Sequence, residues 1–486
     1  MSVSRRILPI ATLAIAIAVF YLYKLDAVGV LGRDEPRYAA VGRAMAQTGD
    51  LVTPRLWGSP WFEKPPLLYW MTACGTSLGL NPELSARLPV ALLSLAFLGV
   101  SFALLRREFG TAAAAIASAL LATSAGWVTY SDLGLTDLPL AVFFSLAVWL
   151  ALPLLRAQPQ SSHLRLRFFG IGACLGFAAL AKGLVPIALC APFLWFLRRF
   201  WREWWTAFLG CCAIALPWYA AVYARNGYPF VQDFFLKHHL ERLYSASLQH
   251  VQPWYYYVPV LLAGMFPWTP LFGLLLLRER AWDNRRRFLA AIFLFGFVFF
   301  SISRNKLPGY LLPLIPSLFV LLGSQFETRS VAQLSRLWWA PCALLIAAIP
   351  LVAPTLPESL SAGHFSAAPI EHITRVEWFY IAVPILVLLL ARRSWVGVLL
   401  VLCVVSGGIY LKATTYPLLD REVSARSLWD EIRPMSNRIC DGGTDRDWLY
   451  GLSFYRGSEF PDCAKGRFDL ALKSRGRARP YLEPLR

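Results

Sequence analysis

The sequence predicts a polytopic α-helical membrane protein with about thirteen spans. Three observations carry that prediction. The hydrophobic set supplies 57% of the 486 residues and the mean hydropathy is +0.50, more apolar surface than a soluble domain of this size needs. The apolar residues fall in long continuous runs, not in the alternation of a membrane barrel, and only helices then satisfy the backbone in lipid. The arginines cluster in short gaps between the runs, as in cytoplasmic loops facing an anionic leaflet. That clustering also argues against a nucleic-acid partner for the net charge of +18, because no separate basic domain exists to bind one.

Arg5 and Arg6 precede the first run, 7–23, and no small-residue cleavage site follows it. It reads as an uncleaved span whose start lies inside. The stretch 32–70 is too polar for lipid and mixes Asp34, Glu35, Asp50, Glu63 and Lys64 with aromatic residues. Within it, 39–46 is predicted as a short amphipathic helix along the membrane face, and Pro65-Pro66 restarts the chain. Runs at 85–105, 112–130 and 138–155 follow; Arg106-Arg107 closes the first, and the tip between the other two carries Asp132 and Asp137.

Further runs are predicted at 168–181, 184–197, 206–223, 255–277, 288–302, 311–322, 337–352, 378–391 and 395–410. Arg156, Arg165, Arg167, Arg198, Arg199, Arg202, Arg278, Arg280, Arg285, Arg286, Arg287, Arg329, Arg336, Arg392 and Arg393 then all fall on one side. The loops with acidic residues and histidine fall on the other side, which the rule of inside positive charge makes periplasmic. The expected organisation is a transmembrane domain over 1–411, with 26–84 as its first periplasmic loop, and a small periplasmic α/β unit over 412–486. Segments such as DWLYGLSFY and RFDLALKS read as its short strands or helices. Seven cysteines, Cys74 through Cys403, lie in or beside apolar runs as small core residues. Cys440 and Cys463 stand in the polar tail, where a disulfide and two free thiols fit the spacing equally.

Four polar stations converge on the outer side: Asp34 with Glu35 and Arg37; Glu63 and Lys64; Asp132 and Asp137; and a group from two loops. The last comprises Lys237, His238, His239, Glu241 and Arg242 with Arg304, Asn305, Lys306 and Tyr310. Carboxylates, imidazoles and cations at one depth can bind a phosphorylated substrate, hold a metal and accept a proton. Each also has a plainer reading: Asp137 caps a helix, His239 sits at the interface, and Arg304 and Lys306 snorkel at a span end. Their joint occurrence on one face favours a site.

The strings DEPRYA, WFEKPPLLYW, TD at the second tip, HHLER and NKLPGYLLPL resemble the ArnT-like branch of the polyprenyl-phosphate-sugar glycosyltransferases. That branch is similar to the protein O-mannosyltransferases and has the GT-C fold. The resemblance runs from Met1 to about Leu322. It implies an inverting transfer of a sugar, such as 4-amino-4-deoxy-L-arabinose or a hexose, from undecaprenyl or another polyprenyl phosphate. The acceptor lies on the periplasmic face of the bacterial inner membrane and is lipid A or another envelope molecule. The resemblance makes Asp34 the residue that positions or deprotonates the acceptor, with Asp137 orienting Lys64 or an arginine. Glu63 and His239 match positions associated with a divalent metal, zinc or else magnesium or manganese. Lys64 and Tyr310 match positions near the donor phosphate, where Arg242, Arg304 and Lys306 add charge, and Arg37 is a further substrate-binding candidate. Three rivals remain at this point: the same chemistry on a protein, glycan or other lipid acceptor, a transporter or flippase for a lipid-linked sugar, and a catalytically dead lipid-binding homologue.

Overall fold

The computed structural model describes residues 4–156, 163–234, 252–276, 282–327, 333–352, 375–476 and 478–485. The first helix, α1 (Ser4–Leu22), is followed by α2 (Asp34–Thr48) and a two-residue hairpin of β1 (Arg55–Leu56) and β2 (Ser59–Pro60). Helix α3 (Leu67–Ser77) starts directly after Pro65-Pro66, as the chain-restart reading requires. Helix α4 (Pro82–Ala122) is capped by Asn81, whose side chain accepts from the Leu84 N–H at 2.8 Å. The helix is broken at Gly110, where φ is 84° and ψ 165°. The runs predicted at 85–105 and 112–130 therefore join there, just after Arg106-Arg107. The second run ends early, and its last residues form a separate short helix, α5 (Ala125–Ser131).

Helices α6 (Asp137–Ala151), α7 (Leu164–Lys182) and α8 (Trp204–Asn226) pack as neighbours. Between α7 and α8 the backbones nearly touch: a Cβ on Gly172 would run into the Ala207 carbonyl oxygen, and one on Gly210 into that of Phe169. Small residues at such seams let membrane helices gain van der Waals contact where lipid gives no hydrophobic drive. The run expected at 184–197 is two short pieces, Val185–Ala188 and Ala191–Phe196. Helix α9 (Tyr257–Gly264) is bent by 108° against the 3-10 helix Thr269–Leu276. Then come α10 (Asn284–Ile302), α11 (Ile315–Ser324), α12 (Arg336–Ala347), α13 (Arg375–Leu390) and α14 (Arg393–Glu422). Each predicted run contains helix, several of them broken into shorter pieces by turns. Among the described residues five helices are long and apolar enough to cross a membrane, and a sixth if the bent pair counts as one. The chain is a multi-pass membrane protein.

Charge is sorted between the two ends of this bundle. At one end Glu108 pairs with Arg156 at 2.8 Å and with Arg285 at 3.8 Å, Arg285 meets Asp283 at 2.7 Å, and Glu327 holds Arg286. Arg336 donates to the Ala391 carbonyl there, 2.8 Å away. At the other end of α6 and α7 stand Asp137 and Lys182. The 19 residues from Asp137 to Leu155 separate the two poles, roughly 28 Å at 1.5 Å per residue, about one hydrocarbon thickness.

The domain boundary expected at Lys412 falls inside a helix. Helix α14 continues to Glu422, and Lys412 is buried in it, 2.7 Å from Asp132 Oδ2 and 3.1 Å from the Phe20 carbonyl oxygen. The terminal unit begins at Ser424, which caps α15 (Ala425–Ile432) by accepting from the Arg426 N–H. It continues through β3 (Ile439–Asp441), α16 (Arg446–Arg456), β4 (Leu470–Lys473) and β5 (Tyr481–Pro484). Strand β4 lies between β3, to which it runs parallel, and antiparallel β5. Leu428, Trp429, Ile432, Ile439, Trp448, Leu452, Phe460 and Leu472 form its core, and Cys440 is bridged to Cys463. DWLYGLSFY is thus helix and RFDLALKS supplies a strand. The unit docks on the first loop: Arg426 donates to the carbonyls of Asp26 and Ala27, and the Tyr455 hydroxyl donates to Glu83 and accepts from the Val30 N–H.

Candidate active site

Helix α2 sets the first half of the site. It begins at Asp34, five residues before the predicted helix, because two acidic residues and Pro36 suit a first turn. It ends on Gly49, whose φ of 70° lets its N–H reach the Met45 carbonyl at 2.9 Å. Asp34 and Glu35, adjacent in sequence, have opposite surroundings. Glu35 is 1% exposed and grips Arg87 through two bonds of 2.7 Å. Its oxygens also accept from the N–H groups of Leu31 and Gly134, while Arg87 donates to the carbonyls of Leu25, Val28 and Gly29. This one knot ties the first loop, the start of α4 and the second tip together. It sets Asp34 on the same frame as Asp137.

Asp34 faces outward, its side chain 42% exposed, and pairs with Arg37. Arg37 reaches on to Glu63 at 2.7 Å, and Glu63 to Lys64 at 3.3 Å. Burial works against the Arg37 charge, but Glu63, Tyr38 and Asp34 outweigh it and raise its pKa. Burial, then the negative charges of Asp34 and Glu63, hold the Tyr38 phenol well above its ordinary pKa, so it stays neutral. The guanidinium carbon of Arg37 lies 5.5 Å from the Trp61 ring centroid and 5.1 Å from that of Tyr450.

The second half is built around Asp137. Its partner is Lys182, at the end of α7, and not Lys64 or an arginine as the sequence suggested. Lys182 in turn lies over the Tyr310 ring, 4.9 Å from its centroid. Gly309 makes this possible: a Cβ there would run into Asp137 and stand 2.7 Å from the Tyr130 hydroxyl. Lys182 escaped sequence reading because a lysine closing an apolar run looks like a snorkelling end.

Beside this group lies a hollow of about 510 Å³, lined by Trp254, Val258, Phe297, Ile302, Arg304 and Lys306 among others. Its walls are apolar and its two cations stand together. Arg304 is exposed, as the snorkelling reading allows, but Lys306 is 5% exposed and donates to the carbonyls of Gln252 and Ser303. Burial pushes the Lys306 pKa down.

His239 and Arg242 lie outside the described residues. Glu63, expected with His239 as a metal ligand, has one oxygen on Arg37 and the other facing Lys64. Among the described residues no three of His, Cys, Asp and Glu come together as a donor set.

The family model for dolichyl-phosphate-mannose-protein mannosyltransferase matches residues 63–223. The chain is 33% identical over 334 residues to undecaprenyl phosphate-alpha-4-amino-4-deoxy-L-arabinose arabinosyl transferase 2 of Pseudomonas fluorescens, covering 65% of this chain and 56% of that protein. It is 33% identical over 337 residues to the corresponding transferase of Pseudomonas aeruginosa, covering 65% and 59%. The chain thus spans less than two thirds of the length of these curated relatives. The crystal structure of ArnT from Cupriavidus metallidurans bound to undecaprenyl phosphate matches with a TM-score of 0.73 at 25% identity, over 99% of this chain and 98% of that one. The chain has an ArnT-like fold. Its likeness to ArnT extends to the apo state of the Cupriavidus protein, with a TM-score of 0.72 at 27% identity over 96% and 92% of the two chains. The ArnT-like fold therefore includes the terminal unit, for which the sequence offered no motif.

Proposed function

We propose that this chain is a polyprenyl-phosphate-sugar glycosyltransferase of the bacterial inner membrane. It crosses the membrane thirteen times and carries its site and its terminal unit on the periplasmic face. It moves a sugar, 4-amino-4-deoxy-L-arabinose by likeness to its relatives, from undecaprenyl phosphate to lipid A. The observation that carries this reading is one partly open carboxylate, Asp34, fixed by the Glu35–Arg87 knot on the same frame as Asp137, Lys182 and Tyr310.

The acceptor oxygen attacks the anomeric carbon from the face opposite the lipid phosphate. The new carbon–oxygen bond forms as the bond to phosphate oxygen breaks, and the electron pair leaves with the phosphate, so the configuration inverts. A hydroxyl acceptor gives its proton to an Asp34 oxygen. An ionised phosphate acceptor needs no base, and Asp34 then serves to hold Arg37 toward it. Negative charge grows on the departing phosphate. Lys64, Tyr310, Arg304 and Lys306 meet it with cations and a phenol, in a place where fixed dipoles and charges act strongly. Arg242 is assigned to the same task. The hollow beside Lys306 suits the first part of the prenyl chain.

The test is transfer from labelled undecaprenyl-phosphate sugar by wild type and Asp34→Asn, with lipid A offered as acceptor. The variant should insert and fold normally and transfer nothing measurable; wild-type turnover would remove Asp34 from the mechanism. The family model's own description favours one second reading, a protein acceptor. Label on protein with unmodified lipid A would establish it.

A further inference from the structure

The terminal unit does more than sit over the first loop. Helix α16 presents Asp447 and Tyr450, three residues apart on one face, to Arg33 and Arg37, four apart on one face of α2. Asp447 Oδ1 accepts from Arg33 Nε at 2.6 Å, and Asp445 stands 3.8 Å from Arg33 Nη2. Arg37 Nε donates to the Arg33 carbonyl at 2.9 Å, so the two arginines are held as a pair. The Tyr450 ring lies nearer to the Arg37 guanidinium than either Trp61 or Tyr38 does. Arg37 is the group that touches both Asp34 and Glu63.

We propose that Tyr450 is a positioning residue of the active site: its ring face fixes the Arg37 guanidinium, and through it the direction of the Asp34 carboxylate. This rests on the transferase reading given above. An aromatic face and a guanidinium attract through the ring quadrupole, so the ring matters and the phenol hydroxyl does not. Loosening Arg37 lets Asp34 turn away from the acceptor, which slows the chemical step without disturbing the donor's lipid phosphate. Orientation losses of this kind fall on kcat.

The experiment measures steady-state transfer by the full chain for Tyr450→Ala, Tyr450→Phe and Arg43→Ala, with undecaprenyl-phosphate sugar as donor. Arg43 lies on the same seam, where it donates to the Phe454 carbonyl at 2.7 Å and stacks 4.4 Å from the Phe454 ring centroid. Tyr450→Ala should lower kcat at least tenfold with the donor KM within twofold of wild type. Tyr450→Phe should restore kcat to within twofold, and Arg43→Ala should keep it there. Wild-type kcat in Tyr450→Ala overturns the assignment. So does a Phe variant as slow as the Ala variant, or an Arg43→Ala loss equal to that of Tyr450→Ala, which would mean only that docking had failed. If wild type itself transfers no sugar, the transferase reading falls and this one falls with it.

Discussion

Glu35 and Arg87 bury two full charges beneath the site and satisfy them almost entirely with each other and with backbone groups. Such a pair gives little net stability when intact but is costly to break, since one partner is then left charged in a dry place. Arg87→Ala should therefore destabilise the protein by about 3–5 kcal/mol, read as a lowered thermal midpoint in detergent. An unchanged midpoint would deny the knot its structural role. Asp50 works at the same scale but near the surface. Burial raises its pKa, yet the N–H groups of Thr53 and Val52 and then Arg225 outweigh burial and hold it below the ordinary carboxylate range. Its contribution is therefore complete above the unfolded pKa of about 3.9 and is lost as pH falls through the lower folded value. Asp50→Asn should be less stable than wild type at pH 7, and the gap should close in acid. The sequence singled out Asp34, Glu35 and Glu63 together. It could not tell which carboxylate is open and which is locked, because that depends on Arg87 and Gly134, far away along the chain.

At the scale of elements, apolar runs and the proline pair were legible: each predicted run contains helix, and Pro65-Pro66 restarts the chain as its chemistry requires. What periodicity cannot reveal is where a run breaks without a polar signal. The fragments at Val185–Ala188 and Ala191–Phe196 and the 108° bend after Gly264 lie inside continuous apolar sequence. Helix-to-helix distance was hidden as well. The α7–α8 seam depends on glycine, and Gly172→Leu should force the helices apart at the Ala207 carbonyl. The expected outcome is loss of folded protein after extraction, seen as aggregation on size exclusion; a monodisperse peak like that of wild type would contradict the seam.

For the whole molecule, the two charged poles follow from arginine placement alone, and so does the existence of a small terminal unit. Its boundary did not, because α14 runs on past the apolar run as an ordinary amphipathic helix anchored by Lys412 and Asp132. The Cys440–Cys463 bridge closes a loop across a sequence separation of 23 residues. Chain-entropy arguments assign such a loop about 3 kcal/mol. Cys440→Ser with Cys463→Ser should make the terminal unit cleavable by added protease at temperatures where wild type resists. Equal resistance would show that docking on the first loop holds the unit without the bridge.

Tyr450 reaches Arg37 from a helix that is made only after all the membrane passes have been synthesised. A nascent chain halted before α16 would already hold Asp34, Glu63 and Asp137 yet leave the arginine between the first two without its aromatic contact. The order of synthesis thus leaves the Asp34–Arg37–Glu63 group without its aromatic contact until α16 has been made and docked.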